Sequence, residues 1–97
     1  MYKAKIFTMR YDIVVAICDE DLIDKKIKMK GLEIKVSKNF YGGESIDDEI
    51  AVKLMKRATI GNLLGKNIVS LAEKNGFITR ENVILINGIP HAQFVKL

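Results

Sequence analysis

The chain has 97 residues, of which 48% are hydrophobic and 29% charged, values typical of one globular domain rather than of a disordered or collagen-like chain. Sixteen basic residues against twelve acidic ones give a net charge of +4, which permits a nucleic acid as partner without requiring one. The longest stretch without a charge, 82–95, is too short for a membrane-spanning helix, and charges near the N-terminus exclude an apolar signal segment. We therefore expect a single domain over residues 1–97, cytoplasmic and without a membrane partner; its oligomeric state is not predicted.

Cys18 is the only cysteine and His91 the only histidine. An internal disulfide and a cysteine-based zinc site are therefore excluded, and we expect neither a metal site nor a cofactor. Cys18 ends the apolar run 13–18, a pattern that indicates a buried side chain rather than a nucleophile. No phosphate-binding-loop, dinucleotide-binding, zinc-protease or nucleophile-elbow motif is present, which disfavours an enzyme without deciding the question.

The first 37 residues have the patterns of strands. Side chains alternate between polar and apolar over 2–9, and the apolar run 13–18 after a turn predicts a buried strand. Polar and apolar side chains alternate strictly again over 26–30 and 32–36. These two segments, joined through Gly31, are either one bent strand or a pair of short ones.

The middle of the chain has the apolar spacing of helices. Ser45 is the predicted N-cap, apolar residues follow at helical spacing over 50–72, and Asn75-Gly76 predicts the C-terminus. Whether residues 46–75 form one helix or two is open. A glycine costs a helix interior about 1 kcal/mol relative to alanine, and two glycines stand in this segment, so we favour a break near 59–62.

Strand patterns resume at 83–86 and 93–95, on either side of Asn87-Gly88, a pair that favours a tight hairpin. Strands followed by helices and then by strands predict an α+β fold. We expect a two-layer sandwich in which a mainly antiparallel sheet carries a helical layer of about two helices on one face.

Four segments together resemble an archaeal family known only as domain of unknown function 424: 16–20, 39–44, 58–65 and 88–93. The likeness extends over essentially the whole chain. It implies an archaeal cytosolic protein with a two-layer arrangement of helices and sheet. It implies no activity and identifies no functional residue, because the family has no established function.

Two basic surfaces are predicted. The first surrounds the break between the helices and comprises Lys53, Lys56, Arg57 and Lys66; the second is the sheet face away from the helices, with Phe7 beside Lys3, Lys5, Lys26, Lys28 and Lys30. Sheets that bind RNA combine basic and aromatic side chains in this way. The leading expectation is a non-enzymatic RNA- or ribosome-associated protein, although lysines on strands also serve simply to prevent edge pairing.

Two glycine-containing junctions are candidates for binding phosphate. Gly42-Gly43 precedes a helix, but the acids within 44–49 would repel an anion there. The junction at 59–62 has only basic charges nearby and is the better candidate. The segment 61–66 resembles half of a phosphate loop, yet it lies in a helical pattern and Asn67 stands where Ser or Thr is required, so a nucleotide site is not expected.

The alternative function is a small-molecule-binding protein or enzyme whose site is formed by the loops 41–43 and 90–93. The candidate ligand residues are Tyr41, Gly42, Gly43, Thr59, Gly61, Asn62, His91 and Gln93. The two loops are predicted to lie side by side, with the His91 imidazole within about 10 Å of residues 40–44. A ligand site of this kind predicts a pocket of about 300 Å³ or more, whereas a structural role for His91 needs none.

Overall fold

The computed structural model describes residues 1–29 and 32–97, and the side chains of residues 1–27 and 35–97. Its elements in chain order are β1 (Tyr2–Thr8), β2 (Ile13–Asp19), β3 (Lys26–Met29), β4 (Leu32–Lys35), α1 (Lys38–Tyr41), β5 (Glu44–Ile46), α2 (Asp48–Arg57), β6 (Ile60–Leu64), α3 (Lys66–Lys74), β7 (Ile84–Ile86) and β8 (Ile89–Val95). No helix in the described part of the chain is long and apolar enough to cross a membrane.

A six-stranded sheet in the order β5-β1-β2-β6-β8-β7 organises the molecule. Among the described strands of this sheet, only β2 and β6 pair in parallel, and the other neighbours are antiparallel, so the prediction of a mainly antiparallel sheet is confirmed. The strands β3 and β4 form a separate antiparallel pair, which corresponds to the second of the two arrangements open from the sequence. The turn at Asn87-Gly88 joins β7 to β8, with both residues at positive φ (50° and 81°), so the hairpin prediction is confirmed.

The break between the two helices is confirmed, but its nature was predicted incorrectly. Residues 60–64 form the central strand β6, not a helix or a loop. Apolar residues at 60, 63 and 64 fit the spacing of a helix as well as that of a strand buried on both faces, and period alone does not separate the two for a short segment. Gly61 is required by close packing, because a Cβ there would lie 2.0 Å from Cε2 of Phe94.

The predicted helix start was also wrong. Ser45 lies in β5, and the N-cap of α2 is Asp47, whose carboxylate accepts a hydrogen bond of 2.9 Å from the Ile50 amide. The C-terminal signal is confirmed, since α3 ends at Lys74 and Gly76 adopts a φ of 79°.

The two faces of the sheet have separate cores. The helices α2 and α3 cover one face, where Met55 and Ile68 pack against Ile17 and Leu63. The predicted helical layer on one face of an α+β fold is thereby confirmed. The opposite face is covered over part of its area by α1 and by the β3–β4 hairpin, through a smaller cluster: Ala16, Cys18, Leu22, Ile27, Val36, Tyr41 and Leu64.

Candidate functional site

Strand register brings polar side chains to the centre of the face that α1 covers. Because alternate residues of a strand share a face, the row across β1, β2, β6 and β8 consists of Lys5, Ala16, Asn62 and Gln93. The next row consists of Lys3, Cys18, Leu64 and His91. Asn62 therefore lies in the middle of the sheet, beside a row that ends in the only histidine.

Asn62 joins two segments that are distant in sequence. The Tyr41 hydroxyl donates a hydrogen bond to Oδ1 of Asn62, and Nε2 of His91 lies 3.2 Å from the same oxygen. An amide oxygen has two lone pairs and accepts both bonds. This arrangement assigns the proton of the neutral imidazole to Nε2 and leaves Nδ1 as an acceptor.

Aromatic packing holds Tyr41 over the sheet. The Phe40 ring stacks on Phe7 of β1 at a centroid distance of 5.4 Å, and meets the Tyr41 ring edge-on at 4.8 Å. The Ser37 hydroxyl caps α1 by accepting from the Asn39 amide. A helix of one turn has little stability of its own, so these contacts fix the position of the tyrosine.

Burial keeps the groups of this site uncharged near neutral pH. It raises the pKa of Tyr41 above its usual value and lowers the pKa of His91 below the ordinary value of a histidine. Burial, with a smaller contribution from the charge of Asp19, raises the pKa of Cys18 to about 12, so this thiol is not an activated nucleophile. The site is a set of neutral donors and acceptors.

A cleft of about 220 Å³ opens beside these groups. Its walls are mostly apolar, and the residues that line it are Ile27, Lys35, Val36, Ser37, Phe40, Tyr41, Leu64, Ile86 and His91. The volume is below the roughly 300 Å³ predicted for a ligand pocket. The cleft is large enough for a single aromatic ring with a small substituent.

The predicted proximity of the two loops is confirmed, because Tyr41 and His91 bond to the same oxygen atom. The glycines of the first loop have another role: a Cβ on Gly43 would lie 1.9 Å from the Ala4 carbonyl oxygen, so this residue allows the chain to pass close to β1. Gln93 shares the face of Asn62 but is exposed. Thus only part of each loop reaches the cleft.

The remaining ligand candidates lie apart from the cleft. Thr59 stands at the start of β6, where its hydroxyl accepts from the Ile13 amide and donates to the Asp12 carboxylate, both at 2.9 Å. Gly61 faces the helical layer beneath Phe94. The candidates that the structure brings together are therefore Tyr41, Asn62 and His91.

The helix junction predicted at 59–62 is wrong, because residues 60–62 belong to the paired central strand β6, so no helix N-terminus is present there to bind a phosphate. The helix N-terminus that follows β6 is already occupied. The buried carboxylate of Asp19 accepts from the amides of Asn67 and Ile68, at 3.0 and 2.9 Å. It takes the place that a bound anion would need at the start of α3.

The predicted basic surfaces are not continuous. The strand β6 separates Arg57 from Lys66, and its length of about 16 Å places them at opposite ends of the sheet. On the other face, Lys3 pairs with Glu20 at 3.8 Å, and the Lys5 ammonium donates to the Asn39 carbonyl at 2.9 Å. The remaining members belong to the separate hairpin (Lys26) or lie outside the described side chains (Lys28 and Lys30).

Residues that sequence reasoning missed surround the cleft. Phe40, Leu64 and Ile86 line it, and Asp19 occupies the helix end. Strand register would have identified Leu64 as a neighbour of His91, but register is not evident from a single sequence. Within the described part of the chain, no group of three or more His, Cys, Asp or Glu residues is arranged to hold a metal ion.

Comparison with known proteins identifies the family. The chain matches the family model described as protein of unknown function (DUF424) over residues 7–97, and it belongs to that family. Its structure is similar to the crystal structure of an uncharacterized conserved protein from the archaeon Methanopyrus kandleri, with a TM-score of 0.85 and 25% identity over 99% of this chain and 93% of that chain. No curated protein matches the sequence significantly.

Proposed function

We propose that this DUF424 protein binds a small, mostly apolar molecule in the cleft beside Tyr41, Asn62 and His91. The observation that carries the proposal is the convergence of Tyr41 and His91 on the amide oxygen of Asn62 at the centre of a sheet face. Burying polar groups costs free energy that an apolar side chain at position 62 would avoid. Packing alone therefore does not account for the choice of residues.

The hydrogen-bonding groups that remain define the ligand. The Asn62 amide nitrogen and Nδ1 of His91 have no partner within the described residues, and neither is a buried unpaired atom, so both are open to a bound molecule or to water. The first is a donor and the second an acceptor. Of these two residues only His91 lines the cleft. A planar molecule with an apolar ring and an amide N–H at its edge complements the walls and the acceptor of His91.

A titration followed by nuclear magnetic resonance tests the proposal. Benzamide supplies a ring with an amide edge, and benzoate and cyclohexanol serve as comparison probes of similar size. We expect benzamide to shift the side-chain signals of Asn62 and His91 at millimolar concentration, and to do so more strongly than the other two probes. Absence of any shift at these residues with all three probes would contradict the proposal.

Two variants separate binding from folding. Tyr41→Phe removes one hydroxyl from the site, and Tyr2→Phe is its matched control, because the Tyr2 hydroxyl donates to Asp48 at 2.7 Å on the other face. We expect the first variant to weaken benzamide binding and the second to leave it unchanged. Equal effects of the two would indicate a general loss of stability instead of a loss of the site.

A further inference from the structure

Charge is segregated between the two ends of the sheet. We call the end at which β2 begins the basic end; its charged residues are Arg10, Asp12, Lys56, Arg57 and Lys96. The end at which β2 finishes carries the acids of two turns, Glu20, Asp21, Asp47, Asp48 and Glu49, together with Asp19, Lys3 and Lys66. Of the residues named, the basic end therefore has four cations against one acid, and the opposite end has six acids against two cations.

Direct contacts hold the basic end together. The Asp12 carboxylate accepts from the Thr59 hydroxyl at 2.9 Å, which places the turn after β1 beside the end of α2. The Lys96 ammonium donates to the carbonyls of Met55 and Lys56, at 2.8 and 2.7 Å, and so caps the C-terminus of α2. Asp12 and Lys96 are thus committed to internal bonds.

The other cations of this end are available. Arg10, Lys56 and Arg57 are exposed, and none of them forms an ion pair within the described residues. Beside them Tyr11 is 82% exposed, and the Arg10 guanidinium carbon lies 5.4 Å from the centre of its ring. Packing within the protein does not account for a ring that is so exposed. With cations around it, the ring suits a partner that has negative charges and flat apolar faces.

We propose that the basic end binds single-stranded RNA. Arg10, Lys56 and Arg57 contact phosphates, and Tyr11 stacks on an unpaired base. Stacking on an exposed aromatic ring with cations around it is how proteins hold unpaired strands. An acidic protein would satisfy the cations but would leave the ring without a partner, so RNA fits the surface better. This surface shares Lys56 and Arg57 with the first basic surface predicted from the sequence, adds Arg10 and Tyr11 to them, and does not depend on the cleft.

The test measures binding of a fluorescent oligouridine of about 12 nucleotides by anisotropy over a series of salt concentrations. The first variant carries Arg10→Gln, Lys56→Gln and Arg57→Gln. Its matched control carries Lys25→Gln, Lys38→Gln and Lys66→Gln, which removes the same charge from exposed positions away from the basic end. Thermal unfolding of both variants verifies that they fold.

Each phosphate contact with a single strand contributes about −0.7 to the slope of log K against log salt. We expect the first variant to reduce the magnitude of that slope by about 2 and to weaken binding at least roughly tenfold at low salt. The control variant should keep nearly the same affinity and nearly the same slope as the wild-type protein. Tyr11→Ala should weaken binding by about fivefold or more with no change of slope, because stacking involves no ion release.

Three results would overturn the proposal: no measurable binding of the wild-type protein, equal losses in the triple variant and its control, or equal binding of polyglutamate and oligouridine. The last would identify the surface as one for acidic proteins. A Tyr41→Phe variant that binds RNA normally shows that failure of the cleft proposal leaves this one intact.

Discussion

The two faces of the sheet differ in how completely they are covered and in what lies at their centres. Two helices of ten and nine residues cover one face, and the residues at its centre are apolar. A one-turn helix and a hairpin cover part of the other face, and Asn62 lies near its centre. Polar groups are tolerated where the cover leaves a cleft through which water or a ligand reaches them. The helical face contains the larger core and stabilises the fold, and the partly covered face contains the polar groups of the proposed site.

Replacing two successive residues of β6 should give the largest losses of stability and tests this difference between the faces. Leu63 points into the helical face and is 0% exposed, whereas Leu64 points to the other face and is 5% exposed. We expect Leu63→Ala to lower the free energy of unfolding by about 4 kcal/mol and Leu64→Ala by about 2.5 kcal/mol, because a cavity costs less where the surroundings are thin enough to relax. Urea unfolding of both variants measures the difference. A larger loss for Leu64→Ala would contradict the comparison.

Asp19 is the polar exception on the helical face, and its replacement has the next largest expected effect. Asp19→Ala would leave the amides of Asn67 and Ile68 without partners in a buried place, so we expect a loss of about 2–3 kcal/mol. Asp47→Ala removes the exposed cap of α2 and should cost only about 1 kcal/mol. Urea unfolding of both variants measures these losses. Equal losses of unfolding free energy would show that burial of the capping side chain is unimportant.

Some of these features could be predicted from the sequence because they depend on local chemistry. Alternation identified β1, the Asn87-Gly88 pair identified the last hairpin, and Gly76 marked the end of α3. The position of β6 could not be predicted, since in this short segment of buried and half-buried residues the apolar positions satisfy helical and strand spacing equally. Without that strand, neither the register across the sheet nor the site of Asp19 at the start of α3 could be derived.

In the candidate site too, the features that depend on local chemistry could be predicted and those that depend on long-range strand pairing could not. Tyr41 and His91 were predicted to be neighbours because their loops hold residue types that hydrophobic spacing does not require, and the structure confirms this. Asn62 was a candidate only as part of a supposed loop. Its role as the link between the two depends on a parallel strand pair, a long-range feature that leaves no local signal.

Two buried tyrosine hydroxyls allow a comparison of smaller effects. Tyr41 donates to a neutral amide on the partly covered face, and Tyr2 donates to a carboxylate on the helical side. We expect Tyr41→Phe to cost about 1 kcal/mol and Tyr2→Phe about 1.5 kcal/mol, because bonds to charged acceptors are stronger. Thermal or urea unfolding near neutral pH measures both. A clearly larger loss for Tyr41→Phe would assign the site a mainly structural role.

The smallest expected effect is a dependence of stability on pH that comes from His91. Burial lowers the pKa of this imidazole in the folded protein, so the neutral form is favoured there. Its contribution to stability is complete above the pKa of an unfolded histidine, about 6.5, and is lost as the pH falls from there through the lower folded pKa. Urea midpoints of the wild-type protein should therefore decrease between about pH 7.5 and 5.5.

His91→Gln separates this effect from the titration of other groups, because glutamine retains a donor for the Asn62 oxygen and has no charge to gain. Carboxylates in general titrate mostly below this range, so the midpoint of the variant should change less than that of the wild-type protein over the same interval. The helical face contributes no histidine, as His91 is the only one in the chain. An equally steep decrease in the variant would mean that the imidazole is not shielded from water, and that the partly covered face is open to solvent even at the position of His91.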